Sequence, residues 1–221
     1  MSRKYKLLSY PLNSQTPLYG DTTPLRIKPI KQIAKGDSCN NFELYLSNHC
    51  GTHMDAPRHF DDHGRSLFEY AIDELIFQAP CLVDCPKEAD ELIMPEDLRL
   101  INKCDLLLIR TGFYRYRGTD KYRLHNPGVS PDAAKWLRSN YPGIRAIGID
   151  TISFSAFQKR EAGREAHKLL LSDKNYPGKP VLLIEDLNLS EELKGIYRII
   201  AIPLFVEGID SMAATVICEY R

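Results

Sequence analysis

Three short apolar runs, each closed by a charged residue, set the strongest limit on how this chain can fold. They are Leu106-Leu107-Leu108-Ile109-Arg110, Ala146-Ile147-Gly148-Ile149-Asp150 and Val181-Leu182-Leu183-Ile184-Glu185. Each has the length of a strand and is apolar at consecutive positions. A strand reads that way when both of its faces are buried, as in a sheet covered by helices. Helix signals alternate with these runs. Ser130 stands as an N-cap before Pro131 and Asp132 to Leu137, and Glu161 to Leu171 brings Ala162, Ala166, Leu169 and Leu170 near one face. Further strand patterns lie at Phe42–Ser47, Cys81–Cys85, Tyr197–Ile202 and Ala213–Cys218, the run at Leu67–Leu75 suggests a short third helix, and Pro95–Leu98 fits a helical turn. The Pro, Gly and Tyr content of 9–36 and 111–129 reads as irregular surface loop. The alternation as a whole defines a mixed α/β domain.

With 221 residues and no repeat or linker, the chain is expected to form one domain over 1–221. Apolar residues at 43% exclude a disordered chain, which could not offset its conformational entropy by burial. Lys+Arg and Asp+Glu are both 29, so there is no basic excess to suit a nucleic-acid partner, and the Arg110 to Arg123 run reads as a solvated loop. No window approaches the ~18 apolar residues of a membrane span, and no secretory leader pattern follows Met1. The six cysteines are scattered; Cys81 and Cys85 have no second pair to complete a zinc knuckle. Reduced thiols and a cytoplasmic setting follow as expectations.

The chemistry concentrates in His49-Cys50-Gly51-Thr52-His53-Met54-Asp55-Ala56-Pro57-Arg58-His59-Phe60. Four of the six histidines fall between positions 49 and 63, where even scatter gives about 0.4. On an extended backbone His49, His53 and Asp55 point to one side. Two imidazoles and a carboxylate are a common three-donor set for a catalytic divalent metal with an open position. The alternative is four satisfied structural histidines. The i, i+4 spacing of His49 and His53 also suits a helix, but Gly51, Thr52 and Pro57 oppose one here. His59 is either an acid/base group near a metal-held water or a histidine that orients a ligand. His63, in a polar turn, reads as surface.

His49 to Phe60 resembles the HxGTHxDxPxHF signature of the metal-dependent cyclase family, which includes kynurenine formamidases, isatin hydrolases and polyketide cyclases. Leu108–Phe113, Asn126–Ser130, Ile147–Ser153, Ala166–Leu170, Ile184–Leu187 and Ala201–Leu204 are similar to further family segments, in order. The resemblance implies a single compact domain with a swivelling β/β/α fold. It implies one or two divalent metals, Zn or Mn, held by His49, His53 and Asp55, with Asp55, His167 and Glu185 serving a second position. It matches His59 to the proton donor/acceptor and places Tyr19, in Pro17-Leu18-Tyr19-Gly20-Asp21, against the substrate. Phe60 is a second aromatic candidate there, with core packing as its alternative. Taken alone, His167 on a helix and Glu185 at a strand end are as readily structural and solvated residues.

The chain departs from the family pattern in two places. The interval from His167 to Glu185 is long through Leu171–Lys179, and Asp210-Ser211-Met212-Ala213-Ala214-Thr215 lacks a Pro-Val-Arg. Both bear on the particular substrate. The resemblance thus leads to an expected metal-dependent hydrolase of a small amide, cyclic amide or lactone, arylformamidase-like and placed by that likeness in tryptophan catabolism. The expected assembly is a homodimer or homotetramer without nucleic-acid or membrane partners. A cyclase or dehydratase, and a non-catalytic metal-binding protein, are the other readings.

Overall fold

The computed structural model describes residues 3–20, 22–98, 104–174, 176, 178–190 and 192–220, which leaves Asp21 of the Tyr19 segment outside the described residues. Its strands and helices are, in order, β1 Lys4–Leu7, β2 Arg26–Lys31, β3 Asn41–Tyr45, β4 His53–Asp55, β5 Ile76–Phe77, β6 Pro80–Asp84, β7 Leu92–Ile93, β8 Leu106–Arg110, α1 Asp120–Leu124, β9 Gly128–Val129, α2 Pro131–Asn140, β10 Ala146–Ile149, α3 Arg160–Leu171, β11 Leu182–Glu185, β12 Ile196–Pro203 and β13 Ser211–Tyr220. The main sheet runs β5-β12-β13-β4-β11-β10-β8-β6, with β1 also paired to β13. Strands β6, β8, β10 and β11 are parallel, and β4 joins them antiparallel between β11 and β13.

The three apolar runs form the parallel centre, and the reason is visible in what their alternate residues touch. Leu106, Leu108, Leu182 and Ile184 point inward against Met54, Phe77, Ile199, Val216 and Cys218. Leu107, Ile109, Ile147, Ile149 and Leu183 point outward against Ala133, Leu137, Ala166 and Leu170 of α2 and α3. Both faces are dry, so neither can be polar. Burying each such aliphatic side chain stabilises the fold by ~1.5–3 kcal/mol. The inward face curls until β12 packs near β6, giving a nearly closed, barrel-like sheet. Gly148 interrupts the β10 run where the barrel is tightest, since a Cβ there would sit 2.6 Å from Leu187 Cδ1.

Ser130 caps α2 by accepting from Ala133 N at 3.0 Å, with Pro131 in the first turn. The 67–75 region is not a helix. It is two separate 3-10 turns, Leu67–Glu69 and Ile72–Leu75, each closed by a glutamate that folds back on the turn's entry, Glu69 to Ser66 N and Glu74 to Ala71 N. Nor are 9–36 and 111–129 wholly irregular. The first contains β2, which pairs with β3 in a separate two-stranded ribbon, and the second contains α1 and β9. That ribbon is exposed along its whole length, including Ile27, Ile30, Phe42 and Leu44. Among the described residues no helix is long and apolar enough to cross a membrane.

Candidate metal centre

β4 supplies the floor of the site. Its period of two sends Met54 into the barrel core and turns His53 and Asp55 the other way. On one side β11 sets Glu185 opposite His53; on the other, β13 sets Ser211 opposite Asp55. His49 arrives from the preceding turn, where Gly51 takes φ +67 and has no room for a Cβ, which would lie 2.4 Å from Leu12 Cδ2. α3 contributes His167 from the outer layer. The loop from Asp150 to Phe157 closes the group. Asp150 accepts from Thr111 N and Gly112 N at 2.8 and 2.9 Å, and Asn126 Nδ2 donates to the Ser153 and Ser155 carbonyls at 3.2 and 2.8 Å. Three of the sequence segments that carry the resemblance are therefore one clamp around that loop.

The donors converge on Asp55. Its Oδ1 lies 3.1 Å from His49 Nδ1 and 3.5 Å from His53 Nε2. Glu185 bridges the two inner rings, with Oε2 3.3 Å from His53 Nε2 and Oε1 3.4 Å from His167 Nε2. Two three-donor groups fall within metal-binding reach, His49/Asp55/His59 and His53/Asp55/Glu185, both through Asp55. Backbone carbonyls orient the rings: His53 Nδ1–H donates to Gly51 O and His167 Nδ1–H to Gly163 O, each at 2.8 Å. That arrangement aims both Nε2 atoms into the cluster. Glu185 Oε1 is fixed by Phe154 N at 2.7 Å and Ser153 Oγ at 3.0 Å.

The electrostatics are those of a cation site. Burial disfavours a charged His49, yet Asp210 and Asp55 outweigh it and raise its pKa to about 10. Burial likewise opposes charge on His53 and His167, and the neighbouring carboxylates again prevail and raise both. Asp55, Glu185 and Asp210 stay ionised against their own burial because of these imidazoles, their pKa values lowered. Two polar atoms are still left over: His53 Nε2 and Asp55 Oδ1 are buried and have no hydrogen-bond partner. A buried, unpaired nitrogen and oxygen facing each other are costly unless something binds both. A divalent cation does, so the residues present fit a metal.

The cluster opens into a cavity of about 300 Å³ lined also by Tyr19, Thr22, Phe60, Ser155, Arg160 and Arg164. Every expected site residue lies on it. Tyr19 meets Phe157 edge-on at 5.4 Å, and Phe60 stacks on His167 at 5.1 Å while also packing against the core. A larger cavity, about 570 Å³, lies elsewhere beside His63, Tyr70 and Arg145 and holds none of these donors. Sequence reasoning missed three features of the site. Asp210 accepts from His59 Nδ1 at 2.6 Å. Ser211 Oγ lies 3.0 Å from His49 Nε2. Behind Glu185, Asp186 takes φ +52 and ties Arg117, at 2.8 and 2.7 Å, to the buried Tyr122 hydroxyl. Only strand pairing brings Asp210 here, and a lone Asp in a Gly-Ile-Asp-Ser turn carries no spacing signal.

A barrel-like α/β sheet with a buried His/carboxylate cluster at the floor of an open cavity defines a protein with a candidate metal centre. Residues 7–156 match the model of the putative cyclase family, and this chain belongs to that family. Cyclase-like protein 1 of Arabidopsis thaliana is 31% identical over 187 residues, covering 80% of this chain and 68% of the plant protein. The kynurenine formamidase of Bordetella avium is 27% identical over 208 residues, covering 92% of each. In fold, the chain is similar to isatin hydrolase A from Labrenzia aggregata, with a TM-score of 0.82, 23% identity, and 99% and 94% of the two chains covered.

Proposed function

We propose that this protein is a metal-dependent hydrolase of a small amide, cyclic amide or lactone, acting on a non-peptide C–N bond in the manner of an arylformamidase. The observation that carries it is the pair of buried atoms His53 Nε2 and Asp55 Oδ1, neither with a hydrogen-bond partner, at the floor of an open cavity beside His59, which Asp210 holds. His49, His53, Asp55, His167 and Glu185 would hold one or two divalent ions, Zn or Mn. Bound there, such an ion supplies an acidified water and a Lewis acid for a carbonyl. The chain supplies the rest. Asp210 holds the proton on His59 Nδ1, which leaves Nε2 free to take a proton and return it to a departing amine. Tyr19 and Phe60, both on the cavity wall, would flank a planar substrate.

The open cavity beside His59 disfavours a purely structural metal, which closes its coordination shell. A cyclase or dehydratase acting on an enolisable carbonyl is the second reading, supported by the family description alone. Labelled solvent oxygen separates the two, since hydrolysis places it in the product. The direct test is metal content of chelator-free protein with turnover of N-formylkynurenine and isatin. Bound metal with turnover of either supports the hydrolase; no metal after reloading rejects it. A cytoplasmic setting belongs to the same proposal, supported by six cysteines without a paired Cys-x-x-Cys spacing, with tryptophan breakdown as the process if N-formylkynurenine is the substrate. Self-association into a homodimer or homotetramer belongs to the same proposal and is supported by the exposed Ile27, Ile30, Phe42 and Leu44; sedimentation reads it directly.

A further inference from the structure

Arg160, Arg164 and His167 stand at i, i+4 and i+7 on α3, so they share one stripe of that helix. At 1.5 Å rise per residue, Arg164 lies about 4.5 Å and Arg160 about 10.5 Å along the axis from His167. All three border the same 300 Å³ cavity. The stripe therefore runs from the metal-donor cluster outward to the cavity rim, and it is cationic for its last two members.

Neither guanidinium has an ion pair or hydrogen bond among the described residues. Elsewhere in the fold buried and half-buried arginines are taken up, Arg117 by Asp186, Arg145 by Asp105, Arg198 by Glu219 and Arg138 by the Leu169 and Ser172 carbonyls, whereas Arg160 and Arg164 are exposed and line the cavity. Arg160 instead lies over the Phe157 ring at 4.0 Å, which holds its plane, and Phe157 in turn packs on Tyr19. Burial raises the pKa of the Tyr19 hydroxyl; Arg160 and, more weakly, Arg164 pull it down while Glu185 pushes it up, so charges of both signs act on that side chain. The carboxylates of the donor cluster are already matched by histidines. One guanidinium held over a ring and a second, exposed one beside it on the wall of the same cavity are suited to a planar anion carried in by the substrate.

We propose that the substrate is an anionic amide or lactone whose carboxylate is held by Arg160 and Arg164 while its carbonyl lies over the His/carboxylate cluster. The inference rests on the hydrolase reading and names the substrate class. It is tested on the metal-loaded full chain with formanilide, which is neutral, against 3- and 4-formamidobenzoate, which add only the acid group. Wild type should prefer the formamidobenzoates in kcat/KM. Arg160→Gln plus Arg164→Gln should lower that preference roughly ten- to hundredfold, through KM rather than kcat. Arg164→Lys should restore part of it. Equal kcat/KM for the neutral and anionic substrates in wild type overturns the proposal. Calorimetric binding of benzoate against benzamide reads the arginines without turnover: benzoate binding that the double substitution abolishes supports them, and no preference for benzoate in wild type overturns them. If wild type hydrolyses none of the three formamides, the formamidase reading falls, and the benzoate measurement still decides the arginine pair.

Discussion

His59 and Asp210 are 151 positions apart in the chain, and their side chains meet at 2.6 Å, Nδ1 to Oδ2. Asp210 is itself held by Asn48 Nδ2 at 2.9 Å. A fixed carboxylate fixes the ring that donates to it, and with it the tautomer, so His59 presents a basic Nε2 in one orientation. The same carboxylate lies 3.4 Å from His49 Nε2, which links His59 to the donor cluster.

His59→Ala is expected to keep stoichiometric metal and to lower kcat by about 10²–10⁴-fold. Asp210→Asn should lower it by a smaller factor, roughly 10–100-fold, since it removes the orientation and not the base. Elemental analysis alongside kinetics reads both. Metal lost from the His59 variant would make this histidine a ligand, in line with its grouping with His49 and Asp55.

His53→Ala removes the buried nitrogen that faces two carboxylates without a hydrogen bond to either. Metal and hydrolysis should disappear together. Turnover that survives in a metal-free His53 variant would remove the central mechanism.

Proton release accompanies metal binding. Without a cation His49 has its pKa at about 10, above the ordinary value, so at pH 7 its ring carries a proton that a ligand cannot keep. Binding must expel it, and affinity must rise with pH up to that value, by about tenfold per unit for each proton released. Calorimetry in buffers of different ionisation heat should find at least one proton released per site at pH 7. A count of zero contradicts the assignment of His49.

Gly163 faces Ser155 across the α3 boundary, and a Cβ there would lie 2.2 Å from Ser155 Oγ and 2.7 Å from Ser155 Cα. Gly163→Ala should destabilise the fold by about 1–3 kcal/mol. It should also weaken metal affinity, because Gly163 O orients the His167 ring. Gly143→Ala, where the nearest atom is Cys104 O at 3.7 Å, is the control. Thermal melting with metal titration separates the two; equal behaviour of both variants would refute the packing argument.

Much of the architecture can be read from residues whose burial leaves a pattern. The Leu106, Ala146 and Leu182 strands lie between two dry layers and are apolar throughout. Strand β2 has Ile27 and Ile30 three apart with Pro29 between them, so it shows no alternation and reads as loop, whereas β3, equally exposed, alternates from Phe42 and reads as a strand. Helix α1 is only five residues, too short for a repeat to show. In the site, His49 to His59 are legible because they are local. His167 and Glu185 are legible only through the family resemblance, and Asp210 not at all, because pairing of β13 with β4 alone brings it in.

The position of β4 between β11 and β13 also sets when the centre can exist. The face bearing His53 and Asp55 is made early in translation, yet its two neighbouring strands begin at Leu182 and Ser211. Closing such loops is entropically slow, and no local contact substitutes for it. A nascent chain stopped before Ser211 holds the histidines without the strand that pairs with the outer edge of β4. The cluster is therefore complete only once β13 has paired, since Asp210 and Ser211 are the last of its residues to be made.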